Sequence, residues 1–362
     1  MNLFPDMKTV VSFGTLEIKW YAIIILFAAI MTYYLSLQEF KKFGYEKNIM
    51  EDFFVYTFGV GLVGARLWFC VFYDFKYYFF NPINLLKVYE GGLAIQGGLV
   101  FGALFAYWFL KKRNISFLRM ADAIAPNILI ASFIGRWANF INQEAFGPIV
   151  PESFYQYFPS FIKQGMYIQG NYHLPTFFME SMGCLIGWLL IKFVYRRFFK
   201  VKRGHLAYSY LLAYGIIRIY VESFRTDSLY IGPLKMAQMT SLAFIIVAIL
   251  GYSGLFDRFI KKRKPYILFK VTHMDQVVYD NLKKEYQVGI LDKDLKEYIK
   301  EHKISHDEFI LVSDEEALLK QGTSLGLYTV GYHVPAKNQV INDLNKIHGI
   351  LKQNIHFTYN EV

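Results

Sequence analysis

Apolar residues in this chain come in runs of roughly 20, the length of helix that crosses a hydrocarbon core of about 30 Å. Such runs leave little choice of fold, because backbone polar groups in lipid must be satisfied within the protein. They predict helices over 19–37, 51–73, 93–110, 119–141, 174–195, 206–222 and 236–256. The expected fold class is an all-α polytopic membrane protein with about seven transmembrane helices. After Pro265 the composition turns charged and ordinary. The chain therefore divides into a membrane domain, 1–264, and a small soluble α/β C-terminal domain, 265–362. The first run begins near Trp20 with no small-residue cleavage pattern after it, so it reads as a retained helix and not a signal peptide.

The formal net charge is +10, but its placement argues against nucleic acid as a partner. Basic residues cluster in alternate short loops: Lys41, Lys42 and Lys47; Lys111, Lys112 and Arg113; Arg196 to Arg203; and Arg258 to Lys264. The intervening loops carry only scattered ones, such as Lys76, Lys87 and Lys163. By the positive-inside rule the N-terminus lies outside and the C-terminus in the cytoplasm, as an odd number of spans requires. The two cysteines, Cys70 and Cys184, sit inside apolar runs. They form neither a disulfide framework nor a metal-type pair, and no metal or cofactor is expected. The outer segment from Asn142 to Tyr172 carries Phe154, Tyr155, Tyr157, Phe158 and Phe161. Two readings stand for it: aromatics lying in the membrane interface, or an ordinary folded loop.

Ionisable residues within spans are costly and point to function. Arg136 and Asn139 lie one turn apart on the fourth helix, with Arg136 roughly 7–8 Å below its outer end at 1.5 Å per residue. Tyr214, Arg218, Glu222 and Arg225 form one stripe on the sixth helix. Arg66, Gln96 and Tyr21 join them from the second, third and first helices. Clustered guanidinium groups near the outer surface suit a phosphate, which they match as a bidentate fork. Glu222 reads first as a counter-ion of Arg218 or Arg225, and second as a catalytic group. The glycines Gly59, Gly61, Gly64, Gly91, Gly92, Gly97 and Gly98 read mainly as close helix packing.

Four stretches carry a resemblance. They are Glu90–Gly98 (EGGLAIQGG), Gly135–Gly147 (GRWANFINQEAFG), His173–Ser181 (HLPTFFMES) and Tyr214–Asp227 (YGIIRIYVESFRTD). In order and spacing, from about Tyr21 to Arg258, the chain resembles the prolipoprotein diacylglyceryl transferases. The resemblance implies transfer of the diacylglyceryl group of phosphatidylglycerol to a cysteine thiol. That thiol belongs to the lipobox following the signal peptide of a pre-prolipoprotein, and the transfer is the first step of bacterial lipoprotein maturation. A thioether forms and glycerol 1-phosphate leaves. It also implies a multi-pass protein of the bacterial cytoplasmic membrane, whose partners are membrane lipids and pre-prolipoproteins. Carried over by position, Arg136, Arg218, Tyr21, Gln96 and Glu222 are the catalytic candidates. Arg136, Asn139, Glu144, Gly147, Arg66, Tyr214, Arg218 and Arg225 are the candidates for binding phosphatidylglycerol.

Two departures stand out. Gln96 occupies a position where many members have a histidine taken as the thiol's base, and an amide is no base near neutral pH. Ala138 replaces a usual glycine. The tail resembles the late part of a haloacid-dehalogenase-like fold, with a strand at Phe309–Val312, a helix to Gln321 and a strand at Leu327–Tyr332. No Asp-x-Asp motif precedes it, so it reads as a regulatory, docking or vestigial domain. Two further readings compete for the whole chain: a transporter or flippase of an anionic lipid or solute, and a structural scaffold with a binding tail. Neither an internal repeat, expected of many transporters, nor an explanation of the arginines supports them.

Overall fold

The structure is a computed structural model that describes residues 2–3, 8–13, 16–42, 47–73, 75–86, 92–113, 115–199, 201–226, 230–231, 233–256, 265–302, 308–325 and 327–352. Gly91, Lys87, Asp227 and the basic run 257–264, with the boundary drawn at its end, lie outside the described residues. The chain is mostly helical. Helices occupy all seven apolar runs: α1 (Trp20–Lys42), α2 (Lys47–Tyr73), α4 (Ile95–Lys112), α5 (Phe117–Asn142), α7 (Thr176–Leu189), α8 (His205–Phe224) and α9 (Met236–Tyr252). Short helices α3 (Phe75–Phe80) and α6 (Ser160–Gly165) lie between them. The α7 helix continues through a π turn to Phe198, which lengthens it enough to span. Among the described residues, four helices are long and apolar enough to cross a membrane: Trp20–Lys41, Lys47–Tyr73, Phe117–Asn142 and Thr176–Phe198. The α8 helix carries Arg218 and Glu222 within its length, so polar groups interrupt its apolar run.

The described residues fall into two compact units. One holds those up to Glu39 and from Ala121 to Phe256; the other holds those from Phe40 to Met120 and from Pro265 onward.

In the first unit, antiparallel strands β1 (Asn2–Leu3), β2 (Thr9–Phe13) and β3 (Leu16–Lys19) precede α1. Hydropathy passes over them because they are short and mixed. Close packing follows the glycines: an added Cβ would meet Ile217 at Gly183, Leu129 and Ala213 at Gly187, and Ile245 at Gly215. Pro126 removes one N–H inside α5. Its neighbour Asn127, buried, donates to Ala123 O (2.9 Å) and Ser36 Oγ (3.3 Å) and accepts from Trp188 Nε1 (3.0 Å), which ties α1, α5 and α7 together. Asp122, also on α5, accepts from the backbone N–H of Gly204 (2.6 Å) and Ala207 (2.9 Å). It thereby caps α8, whose first turn needs acceptors and favours a negative charge. Glu39 pairs with Arg196 at 2.7 Å, joining α1 to the end of α7.

Between α5 and α7 the chain folds around a small core of Tyr155, Ile162, Met166, Ile168 and Phe177. The hairpin of β4 (Tyr167–Ile168) and β5 (Asn171–Tyr172) closes it. Tyr155 faces inward and Phe154, Tyr157 and Phe161 outward. Of the two readings of this segment, the folded one accounts for Tyr155. A further hairpin, β6 (Tyr230–Ile231) and β7 (Leu234–Lys235), precedes α9.

In the second unit, α2 and α4 meet along glycines. A Cβ at Gly97 would collide with the Gly64 carbonyl oxygen and Trp68 Cβ, and one at Gly64 would come within 2.9 Å of Gly97 O. Arg113 pairs with Asp52 at 2.9 Å. The tail forms five parallel strands: β8 (Tyr266–Lys270), β9 (Gln287–Ile290), β10 (Phe309–Ser313), β11 (Tyr328–Tyr332) and β12 (Gln339–Ile341). Their order is β12-β11-β10-β8-β9. Helices α10 (Gln276–Glu285), α11 (Leu295–His302) and α12 (Glu316–Ser324) make the connections, and α13 (Ile347–Lys352) follows. Strands covered on both faces read as continuous apolar runs, and Ile267, Leu268, Phe309, Leu311 and Val312 are fully buried. The strand–helix–strand read at Phe309–Tyr332 is present; β8, β9 and β12 complete the sheet. At its carboxyl edge Asp314 accepts from Thr272 N at 2.7 Å. Burial acts to raise the Asp314 carboxyl, but hydrogen bonds from Thr272 and the nearby His273 hold it below its usual value. This tie is therefore present above the usual carboxylate pKa and is lost as pH falls through the depressed one.

The glycine seam makes a paired prediction. Gly97→Ala lowers stability by about 1–3 kcal/mol through overpacking. Gly59→Ala, where an added Cβ meets nothing within 4 Å, is neutral or stabilising by up to about 1 kcal/mol. Thermal unfolding of the two variants in detergent measures the difference.

Candidate active site

Three sequence stretches converge in the first unit. The α5 helix ends at Asn142, and the chain turns through Gln143 and Ala145, both in left-handed conformation (φ 53° and 57°). The hydroxyl of Thr176, the first residue of α7, donates to Ala145 O. Gly147 N donates to Leu174 O at 3.0 Å, and His173 Nδ1 lies 2.9 Å from Gly147 O. A Cβ at Gly147 would meet Leu174 Cβ at 2.8 Å and Phe224 O at 3.2 Å. Glycine is needed there for close approach of the α5–α7 connection to the end of α8, so Gly147 acts through shape.

The polar groups of α5, α7 and α8 form one continuous chain. Asn139 Nδ2 donates to Glu144 Oε1 at 2.7 Å, and Arg136 donates to Asn139 Oδ1 at 3.1 Å. Arg136 also pairs with Glu180 Oε1 at 2.7 Å, and Arg218 pairs with Glu180 Oε2 at 2.9 Å. Arg218 reaches Glu222 at 2.7 Å, and Arg225 lies 3.9 Å from the same oxygen. Lys235 Nζ donates to the carbonyls of Glu222 (2.6 Å) and Arg225 (3.2 Å), a cation at the carboxyl end of α8. The side chains of Glu180 and Glu222 are each 2% exposed. A guanidinium carries five N–H donors. Arg136 and Arg218 each spend two contacts on the described residues, so both retain donors for an anionic ligand.

Arg136, Asn139, Glu144, Arg218, Glu222 and Arg225 are thus brought together. Tyr214, one turn before Arg218, lies in electrostatic range of Arg136, Arg218 and Glu180. Glu222 pairs with Arg218 and Arg225, its first reading as a counter-ion. Tyr21 is half-exposed in a cleft of about 550 Å³ lined also by Glu17, Lys19, Asn142 and Glu144.

Arg66 and Gln96 belong to the second unit. The Arg66 guanidinium donates to the carbonyls of Leu85 (3.0 Å), Gly92 (3.1 Å) and Asn84 (2.7 Å) and stands over the Tyr78 ring. These contacts fix the segment leading into α4. Gln96 is exposed on the first turn of that helix. Two residues escape the sequence reading. Glu180 is a charge inside an apolar run, and the criterion that flagged Arg136 flags it equally. Lys235 bonds only to backbone, which residue patterns do not display.

Breaking a buried ion pair by removing one partner costs about 3–5 kcal/mol. Glu180→Ala therefore destabilises by about that amount, because two guanidinium groups lose their shared carboxylate, and Glu180→Gln destabilises less. Chemical or thermal unfolding of both variants checks this.

Known proteins resemble the chain over the residues that build this site. The family described as prolipoprotein diacylglyceryl transferase matches residues 8–253. Phosphatidylglycerol–prolipoprotein diacylglyceryl transferase of Lactococcus lactis subsp. cremoris (strain MG1363) is 38% identical over 252 residues, covering 69% of this chain and 95% of the relative. The protein of the same name from Clostridium novyi (strain NT) is 39% identical over 235 residues, 65% of this chain and 90% of the relative. That from Bacillus cereus (strain G9842) is 36% identical over 245 residues, 67% and 90%. A match of this length and specificity, over the same residues that build the ion chain, shows that the chain belongs to the prolipoprotein diacylglyceryl transferase family.

Proposed function

We propose that this protein transfers the diacylglyceryl group of phosphatidylglycerol to the lipobox cysteine thiol of pre-prolipoproteins, releasing glycerol 1-phosphate. The observation that carries the reading is the pair of guanidinium groups on α5 and α8, Arg136 and Arg218, fixed by one carboxylate of α7 and retaining donors. The lipid's phosphodiester is held by both. The product is a thioether, so the bond that breaks joins the diacylglyceryl carbon to a phosphate oxygen. Charge grows on that phosphate as it leaves, and preorganised donors stabilise it without reorganisation. The same cations favour the thiolate form of an incoming thiol, whose ordinary pKa is about 8.5. Asn139 and Tyr214 position the headgroup around Arg136, and Glu222 and Arg225 support Arg218. Tyr21, in the cleft beside Glu144, lies where the thiol approaches, and Gln96 can form hydrogen bonds but supplies no base.

Seven membrane crossings, with the N-terminus outside and the C-terminus in the cytoplasm, fit the seven apolar helices and the alternation of basic loops. The protein is then a multi-pass component of the bacterial cytoplasmic membrane. Residues 1–264 carry the transferase, and 265–362 form an α/β extension separate from the chemistry. The family match gives no support to the transporter or flippase alternative.

Purified protein incubated with phosphatidylglycerol and a lipobox peptide gives a diacylglyceryl mass increment on cysteine. Arg136→Ala and Arg218→Ala each lose activity by about 100-fold or more, the scale of a lost transition-state donor, and lysine at either position restores only part because it lacks the planar fork. Wild-type turnover in both alanine variants contradicts the reading.

A further inference from the structure

With glutamine at position 96, the chain needs another group to take the thiol's proton. Three carboxylates lie along the ion chain. Glu180 has one oxygen on Arg136 and the other on Arg218, and it is 2% exposed. Glu222 is equally buried and holds Arg218 and Arg225. Both carboxylates are buried and already taken up by guanidinium groups.

Glu144 differs in each respect. It is exposed, and Asn139 holds its Oε1, while no described residue hydrogen-bonds its Oε2. It lines the cleft of about 550 Å³ that Tyr21 also faces. Its backbone is fixed by a hydrogen bond from its own N–H to Asn139 O (3.0 Å) and by the flanking left-handed residues Gln143 and Ala145. Sparsely populated conformations at non-glycine residues gather at functional sites. Gln143 is held in turn by its bond to Gly165 O (3.1 Å), and Ala145 by the Thr176 hydroxyl. The charged and titratable groups around it are Glu17 and Lys19 on β3, Tyr21 on α1, and Arg136 behind Asn139.

We propose that Glu144 is the general base of the transfer, a catalytic residue that contacts the thiol; the proposal rests on the transferase reading above. One amide, Asn139, links the phosphate-binding Arg136 to Glu144, so nucleophile and leaving group flank the same residue. The thiol proton passes to Glu144. The sulfur electron pair forms the bond to the diacylglyceryl carbon as the carbon–oxygen bond to phosphate breaks, and that bond's electron pair stays on the phosphate oxygen. The proton then moves from Glu144 to the departing phosphate or to water, which regenerates the carboxylate. No oxidant, reductant or metal enters the balance.

The experiment compares wild type, Glu144→Gln and Glu144→Asp with phosphatidylglycerol and a lipobox peptide between pH 6 and 9.5. Glutamine keeps the acceptor for Asn139 and removes the basicity. General-base removal costs roughly 100- to 10,000-fold, so kcat of Glu144→Gln falls about 100-fold or more at pH 7, with KM for the lipid within about threefold. The deficit narrows toward pH 9, where more of the thiol is ionised without a base. Glu144→Asp recovers part of the rate with a wild-type pH profile. A Glu144→Gln kcat within about threefold of wild type, a loss confined to KM, or an equal deficit at every pH overturns the proposal. A wild-type protein that forms no adduct overturns the transferase reading, and the proposal with it; an adduct formed equally by Glu144→Gln overturns the proposal alone.

Discussion

Burying ions costs several kcal/mol each, and their attraction repays this only with good geometry and full hydrogen bonding. The Arg136–Glu180–Arg218 group meets that condition in part: Arg218 hydrogen-bonds Glu180 Oε2, whereas Glu180 Oε1 has its ion contact with Arg136 but no aligned hydrogen bond among the described residues. One carboxylate uses one oxygen for each guanidinium, at 2.7 and 2.9 Å, and thereby fixes α5 and α8 against α7. A hydrophobic trio would serve packing as well or better. The charged one is explained by what it presents: guanidinium groups held in place, with donors left over. The neighbouring helix ends follow from this. Asn139 extends the chain to Glu144, and Lys235 closes the carboxyl end of α8 on two carbonyls.

The opposite ends of the same helices are fixed by different means. Asp122 caps α8 from α5, and Glu39 joins α1 to Arg196. Between the two ends, Asn127 satisfies its amide against Ser36, Ala123 and Trp188. Each of these polar groups lies among apolar surroundings and finds its partner inside the protein, as a low-dielectric setting requires. They tie α1, α5, α7 and α8 into the frame on which the arginines sit.

Much of this was legible in the residues. The seven apolar helices fall where runs of about 20 apolar residues place them, and the stripe Arg218–Glu222–Arg225 follows from helical spacing alone. Other features were hidden for physical reasons. Strands β1–β3 are too short to carry a period. Sheet order in the tail is set by pairing between segments far apart in sequence, so Phe309–Val312 showed a strand without showing that Tyr266–Lys270 lies beside it. Arg66 is, like Arg136 and Arg218, an arginine inside an apolar run, yet the partners it holds are backbone carbonyls. Glu180 was visible as a charge in an apolar run, but its role depends on two arginines about 40 residues away in either direction.

The proposed transfer requires this buried carboxylate to present two arginines to one phosphate. A cryo-electron microscopy structure of the protein in phosphatidylglycerol-containing nanodiscs decides the point. The expected result is the lipid phosphate within hydrogen-bonding distance of both Arg136 and Arg218, with Glu180 still between them. A headgroup bound elsewhere, or a Glu180 that pairs with neither arginine, contradicts it.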